Sequence, residues 1–282
     1  MAYPTVEGPY GLLPVNLIGG RSFVGSTRMI PIASGYATSL YYGDPVKFTS
    51  TGTLITSGLA YNSNAAETGG TLGIFLGCEY TPAGGPLYGK QRSQKWTAST
   101  VAADAVAYVL DDYDVIMKAA VVTYATGAST TIGCAPAVAL GTNLNSVATA
   151  TANDGTLANV NGNSNVGLML ASGNVRRTTT SPFRIVGFVD ETRLLVSATG
   201  TTTSANTAVT LAAANSSIKT GMLVTGTGIA AGTFVAAVSG TSVTLSQNAS
   251  ASGTVTLTFD GYQEVLVKWN FGYHAYQAAV AI

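Results

Sequence analysis

The stretch Gln263-Glu264-Val265-Leu266-Val267-Lys268-Trp269-Asn270-Phe271-Gly272-Tyr273-His274-Ala275 decides the fold class. Val265, Val267, Trp269, Phe271 and Tyr273 share one parity; Glu264, Leu266, Lys268, Asn270, Gly272 and His274 share the other. Successive side chains of an extended chain point to opposite faces, so this alternation predicts a half-buried strand with an aromatic inner face. Phe183-Arg184-Ile185-Val186-Gly187-Phe188-Val189 reads the same way, and residues 45–49, 71–81, 105–110 and 114–122 read as further strands. Between them stand turn-forming runs such as Tyr42-Gly43-Asp44-Pro45, Pro82-Ala83-Gly84-Gly85-Pro86, Asp111-Asp112 and Asn153-Asp154-Gly155. No segment keeps a helical period between two caps. The expectation is an all-β chain whose body is an antiparallel β-sandwich, jelly-roll-like, joined by Gly-rich turns.

Composition narrows the class. The 282 residues hold 13 Lys and Arg against 13 Asp and Glu, a formal net charge of zero, with charged residues at 9%. A protein that neutralises many phosphates needs a basic excess, so no direct nucleic-acid binding is expected. Two cysteines are too few for a disulfide-stapled scaffold. Cys78 and Cys134 read as two buried thiols, with a disulfide between them as the alternative. Hydrophobic residues at 46% argue against a charge-repelled disordered chain, and the length is enough to bury a sizeable core. Residues 101–122 come nearest to a membrane span but are broken by Asp104, Asp111, Asp112, Asp114 and Lys118. The opening Met1-Ala2-Tyr3-Pro4-Thr5-Val6-Glu7 lacks the basic and apolar regions of a secretory signal, so synthesis in the cytoplasm is expected.

Two features divide the chain. From Val196 to Phe259 the only charged residue is Lys219. This Thr/Ser/Ala/Gly/Val-rich stretch contains strand-like pieces at Ala208–Leu211, 222–225, 233–238, Ser242–Leu245 and 254–259. It reads as a small β module (196–259) inserted in a loop between two strands of a body formed by 1–195 and 260–282. At the other end, Gly11-Leu12-Leu13-Pro14-Val15-Asn16-Leu17-Ile18-Gly19-Gly20 is apolar and interrupted by proline. It reads as an edge strand or as part of an extended arm (about 1–43), packed either on its own domain or on a partner. Residues 123–176 are Ala/Asn/Gly/Thr-rich and read as long loops with one or two weak strands.

No constellation of catalytic residues emerges. The single histidine, His274, falls on the polar parity of the C-terminal strand and reads as solvent-facing or hydrogen-bonded. No Gly-x-Ser-x-Gly elbow accompanies it. One histidine and two distant cysteines do not make a zinc site. Asp111, Asp112 and Asp114 lack the spacing of a calcium loop and read as a hairpin turn with solvated carboxylates. Gly226-Thr227-Gly228-Ile229-Ala230-Ala231-Gly232 imitates a dinucleotide-binding pattern without its strand and helix, and reads as a turn. Tyr36, Tyr41 and Tyr42 read as core or interface filler. No catalytic residue, cofactor or metal is expected, and the chain is not expected to be an enzyme.

The apolar stretch at 11–20, followed by Thr27-Arg28-Met29-Ile30-Pro31-Ile32-Ala33-Ser34-Gly35-Tyr36-Ala37-Thr38 and Tyr41-Tyr42-Gly43-Asp44-Pro45-Val46, resembles the tailed-bacteriophage capsid decoration, or cement, proteins. Gly73-Ile74-Phe75-Leu76-Gly77-Cys78-Glu79-Tyr80, Ala107-Tyr108-Val109-Leu110-Asp111-Asp112 and the two strands at Phe183–Val189 and 265–270 continue the likeness. The module, with Gly221-Met222-Leu223-Val224-Thr225-Gly226 and Val243-Thr244-Leu245-Ser246, is similar to one that recurs in phage structural proteins. The resemblance implies a virion protein on the capsid surface, made in host cytoplasm, with the major capsid protein as partner and a homo-trimer as the expected assembly. Under it the arm would touch the capsid or a neighbouring subunit through Tyr3, Tyr10, Leu13, Arg21, Arg28 and Tyr36, and the module would point outward. The alternative is a host-recognition adhesin or a tail or fibre component.

Overall fold

The computed structural model describes residues 8–17, 27–57, 70–83, 89–124, 132–134, 139–147, 162–170 and 182–277. The first half of the chain holds β1 (Leu13–Leu17), β2 (Arg28–Pro31), β3 (Leu40–Tyr41), β4 (Pro45–Phe48), β5 (Leu54–Thr56), β6 (Gly73–Tyr80), β7 (Gln91–Ser93), β8 (Lys95–Trp96), β9 (Val106–Leu110), β10 (Val115–Ala120) and β11 (Val122–Tyr124). The second half holds β12 (Ile132–Cys134), β13 (Asn143–Val147), β14 (Gly167–Leu170), β15 (Phe183–Val189), β16 (Leu195–Thr202), β17 (Ala208–Leu211), β18 (Leu223–Thr225), β19 (Val235–Ser239), β20 (Ser242–Leu245), β21 (Gly253–Asp260) and β22 (Glu264–Trp269). Among the described residues the only helical element is a single 3-10 turn at Asp190–Thr192. The fold is all-β, and the ladders between named strands are antiparallel.

Two sheets make the body. The first runs β1-β10-β22-β15-β13-β14; the second runs β2-β9-β6-β4-β5, with β7 also on β6. These orders do not establish a jelly roll. Alternation explains why the strands settle as they do. In β10, Val115, Met117 and Ala119 are buried while Ile116 and Lys118 are half-buried; in β22, Val265, Val267 and Trp269 are buried. These residues join Phe183 and Ile185 of β15 in one core, which Ile74 and Leu110 reach from the second sheet. Each large side chain so buried contributes about 1.5–3 kcal/mol. A second core forms around Ile30, Leu40, Val46, Phe75, Trp96 and Val109.

The structure departs from the sequence reading at several places. β22 ends at Trp269, because the chain turns through Asn270–Tyr273, where Gly272 adopts φ 87°. Phe271, expected on the inner face, is 86% exposed. The aspartates after β9 do not close a hairpin: β9 pairs with β2 and β6, β10 pairs with β1 and β22, and the turn carries the chain from one sheet to the other. The strand β16 was not foreseen, since its outward residues are Leu195, Ser197, Thr199 and Thr201 and its inward ones include Gly200 and Thr202. The cysteines are free and buried, so the disulfide alternative falls.

The described part of the N-terminal segment is woven into the body. β1 is an edge strand on β10, with Pro14 in it as an edge position allows, and β2 is an edge strand on β9. Of the region read as loops, β11 to β14 are seen; most of 148–181 lies outside the described residues.

Residues Leu195–Asp260 supply a third sheet, ordered β18-β21-β16-β17-β20-β19, around a core of Val209, Val224, Val235, Val243, Leu257 and Phe259. Its entry and exit strands are neighbours, Leu195 opposite Asp260, and they continue from β15 and β22, neighbours in the body with Val189 opposite Glu264.

Candidate functional site

The six residues assigned to capsid or subunit contact divide by position. Tyr3 and Arg21 lie outside the described residues. Leu13 opens β1, half-buried. Tyr36 is half-buried, and its hydroxyl accepts the Thr56 backbone N–H at 3.0 Å. Tyr10 turns its hydroxyl inward to donate to Glu264. Arg28 is the most open of the four described, its side chain 58% exposed, and pairs with Asp111 at 2.8 Å. The four described residues lie on separate elements: Tyr10 before β1, Leu13 in β1, Arg28 in β2 and Tyr36 between β2 and β3.

A buried ionic node was not foreseen. Glu264 begins β22 and is 1% exposed. Its carboxylate accepts hydrogen bonds from the hydroxyls of Tyr10 and Thr192, and Lys118 Nζ lies 3.0 Å away. The Lys118 ammonium also stands over the Tyr10 ring, 5.5 Å from its centroid. Burial alone pushes the Glu264 carboxyl up, but the bonds from Thr192, Tyr10 and Lys118 outweigh it, and the carboxyl titrates below its ordinary range. Burial and the adjacent Glu264 push the Tyr10 phenol up. The sequence signal was slight: one acidic residue beside Val265 at the edge of an uncharged stretch.

A second cluster gathers at the end of the body. Arg28 Nε and the Tyr276 hydroxyl both meet Asp111 Oδ2, each at 2.8 Å, and the Arg28 guanidinium lies 5.4 Å from the Tyr276 ring centroid. Asp111 is therefore bound by its neighbours, against the expectation of solvated carboxylates; Asp112 accepts the Asp114 backbone N–H in a tight turn. Beside them His274 is fully buried, not solvent-facing, with the rings of Trp269, Tyr276 and Tyr113 at 5.6, 5.2 and 6.2 Å. Its Nδ1 accepts the Tyr276 N–H at 3.3 Å. Burial holds the imidazole below its ordinary range despite the nearby carboxylates of Asp111 and Asp112, so it is neutral at neutral pH. Exposed around this corner are Tyr276 (49%), Tyr113 (41%) and Phe271.

On the second sheet, Glu79 gathers Arg92 at 2.8 Å, Lys90 at 3.2 Å and the Tyr108 hydroxyl at 2.8 Å. The bonds from Arg92, Tyr108 and Lys90 draw its carboxyl down to about 2. Among the described residues no group of three or more His, Cys, Asp or Glu side chains is placed to hold a metal ion, and no helix is long and apolar enough to cross a membrane. No family model, curated protein or solved structure matches the chain.

Proposed function

We propose that the chain is a virion structural protein that binds the outer surface of a phage capsid and stabilises it as a decoration, or cement, protein, without catalysing a reaction. The observation that carries this reading is where the resembling stretches fall. They supply β1, β2, β4, β6, β9, β15 and β22, the framework of both body sheets. The third sheet, which resembles a different phage module, is joined to that framework by one stem.

The mechanism follows from copy number. Weak contacts repeated at every junction of a lattice add to a large total. A protein that binds only the assembled shell stabilises it by linkage. Symmetric capsid sites favour symmetric oligomers, and a homo-trimer on the major capsid protein is the assembly proposed here. The body faces the shell and the third sheet faces outward. Exposed Phe271, Tyr113, Tyr276 and Arg28 are of the residue types that anchor interfaces.

A second reading, host-recognition adhesin or fibre component, draws on the outer face of the third sheet, where Thr199 stands opposite Thr256 and Thr201 opposite Thr254 and Thr210. Hydroxyl arrays of this kind suit an uncharged partner. A reconstruction of particles carrying the chain separates the two. Trimeric density on the outer shell supports the cement reading; density confined to tail or fibre overturns it.

A further inference from the structure

Glu264 is one carboxylate held by three segments that are far apart in the chain. Tyr10 belongs to the segment before β1, Lys118 to β10, and Thr192 to the 3-10 turn that leads into the third sheet. A second route joins the same places. The Tyr10 ring packs on an apolar cluster of Ala120, Val122, Cys134, Met169, Leu223 and Tyr262. Leu223 begins β18 of the third sheet, and Tyr262 lies in the return limb of its stem. One backbone bond crosses this seam, Cys134 N–H donating to Gly221 O at 2.7 Å, and another ties the two limbs of the stem, Gly261 N–H donating to Leu194 O at 2.7 Å. Arg193 adds a two-pronged pair with Asp260, its Nε 2.7 Å from Oδ1.

We propose that Tyr10 and Glu264 form a latch that couples the seating of the N-terminal segment to the fixation of the third sheet on the body. With Tyr10 seated, the carboxylate has three donors and the apolar seam has its cover. With Tyr10 withdrawn, a buried charge loses a donor and water reaches the cluster that holds Leu223 and Tyr262. A buried carboxylate that loses one of its donors is costly, so Thr192 and the stem rearrange to relieve it. Coupling of this sort is reciprocal: whatever draws the N-terminal segment away loosens the third sheet, and whatever holds the third sheet seats the segment. The latch goes beyond the capsid reading and does not depend on it.

Hydrogen exchange on the full chain tests it from both sides. Tyr10→Phe keeps the ring and removes the hydroxyl. It is expected to speed exchange of the Cys134 and Gly261 amides by about tenfold, the effect of losing one hydrogen bond to a charged group. The Leu211 and Leu245 amides, bonded within the third sheet to Thr241 O and Thr207 O, should keep their rates. In the reverse direction, Thr192→Val is expected to speed exchange of the Gly11 and Leu12 amides, which bond to Val166 O and Gly43 O. The latch is overturned if Tyr10→Phe affects only Gly11 and Leu12, if Thr192→Val leaves those two unchanged, or if Leu211 and Leu245 loosen equally.

Discussion

Gly11 and Gly43 lie back to back, so close that a Cβ on Gly11 would stand 3.0 Å from the Gly43 Cα and a Cβ on Gly43 3.1 Å from the Gly11 Cα. Both adopt the left-handed region, at φ 87° and 95°. Leu12 N–H donates to Gly43 O at 3.0 Å across the contact, so the approach ties the first described segment to the turn before β4. Replacing either glycine by alanine adds backbone strain and steric conflict together. Gly11→Ala and Gly43→Ala are each expected to lower unfolding free energy by about 2 kcal/mol or more. Gly35→Ala, also at positive φ but with nothing within 4 Å of its Cβ, isolates the strain alone and should cost less. Urea melts of the three variants check the order.

Asp44 is buried, and its carboxyl is pushed up to about 6 by burial, against hydrogen bonds from Ser164 and the Tyr41 backbone. The folded state therefore holds its proton more tightly than the unfolded state does. That contribution is complete below about pH 4 and is lost as pH rises through 6. Asp44→Asn retains an acceptor for the Tyr41 N–H, 2.8 Å away, and removes the ionisation. It is expected to raise stability at pH 7.5 by up to about 3 kcal/mol and to give no gain at pH 3.5. Denaturant titrations at the two pH values decide it; equal effects at both would remove ionisation as the cause.

His274 gives a slope of the opposite sign. Its imidazole is depressed by burial below the ordinary 6.5, so below that pH the unfolded chain takes up a proton that the folded chain resists. Stability is full above about pH 6.5 and falls as pH drops below it. As this is the only histidine, one imidazole resonance reports its titration directly. His274→Phe should abolish the decline below about pH 6.5, leaving the Asp44 trend exposed in melting curves. An unshifted imidazole titration would contradict the expectation.

The all-β class and many strands are legible in the sequence; the side-chain clusters are not. Phe183–Val189, Ala208–Leu211 and Ser242–Leu245 were read to the residue, because alternation of bulky and polar side chains is a local signal. β16 escaped because its pattern depends on Gly200 and Thr202 being buried by partners elsewhere in the chain. The C-terminal alternation ran past Trp269 into a turn, since Phe271 and Tyr273 continue the parity while Gly272 lets the backbone leave it. Burial of His274 depends on tertiary contacts that strand parity alone could not convey. The Tyr10–Glu264 bond spans 254 positions, and nothing local marks either residue as its partner.

Under the capsid reading, deletion of residues 199–258 should leave incorporation into particles intact, because both body sheets remain. The variant should nevertheless melt at lower temperature than the full chain. It loses Leu223 from the apolar seam and the bond from Cys134 to Gly221. Quantitative gels of purified particles and a thermal melt check the two statements; loss of incorporation would show that the third sheet takes part in attachment.

The stem that carries that sheet has a practical consequence. Leu195 and Asp260 sit opposite one another in a ladder, so the ends of the guest are about 5 Å apart. Any foreign fold whose termini emerge side by side meets the same geometric requirement. The position is thus a natural splice point, where one cargo can be exchanged for another while the strands beneath keep their register.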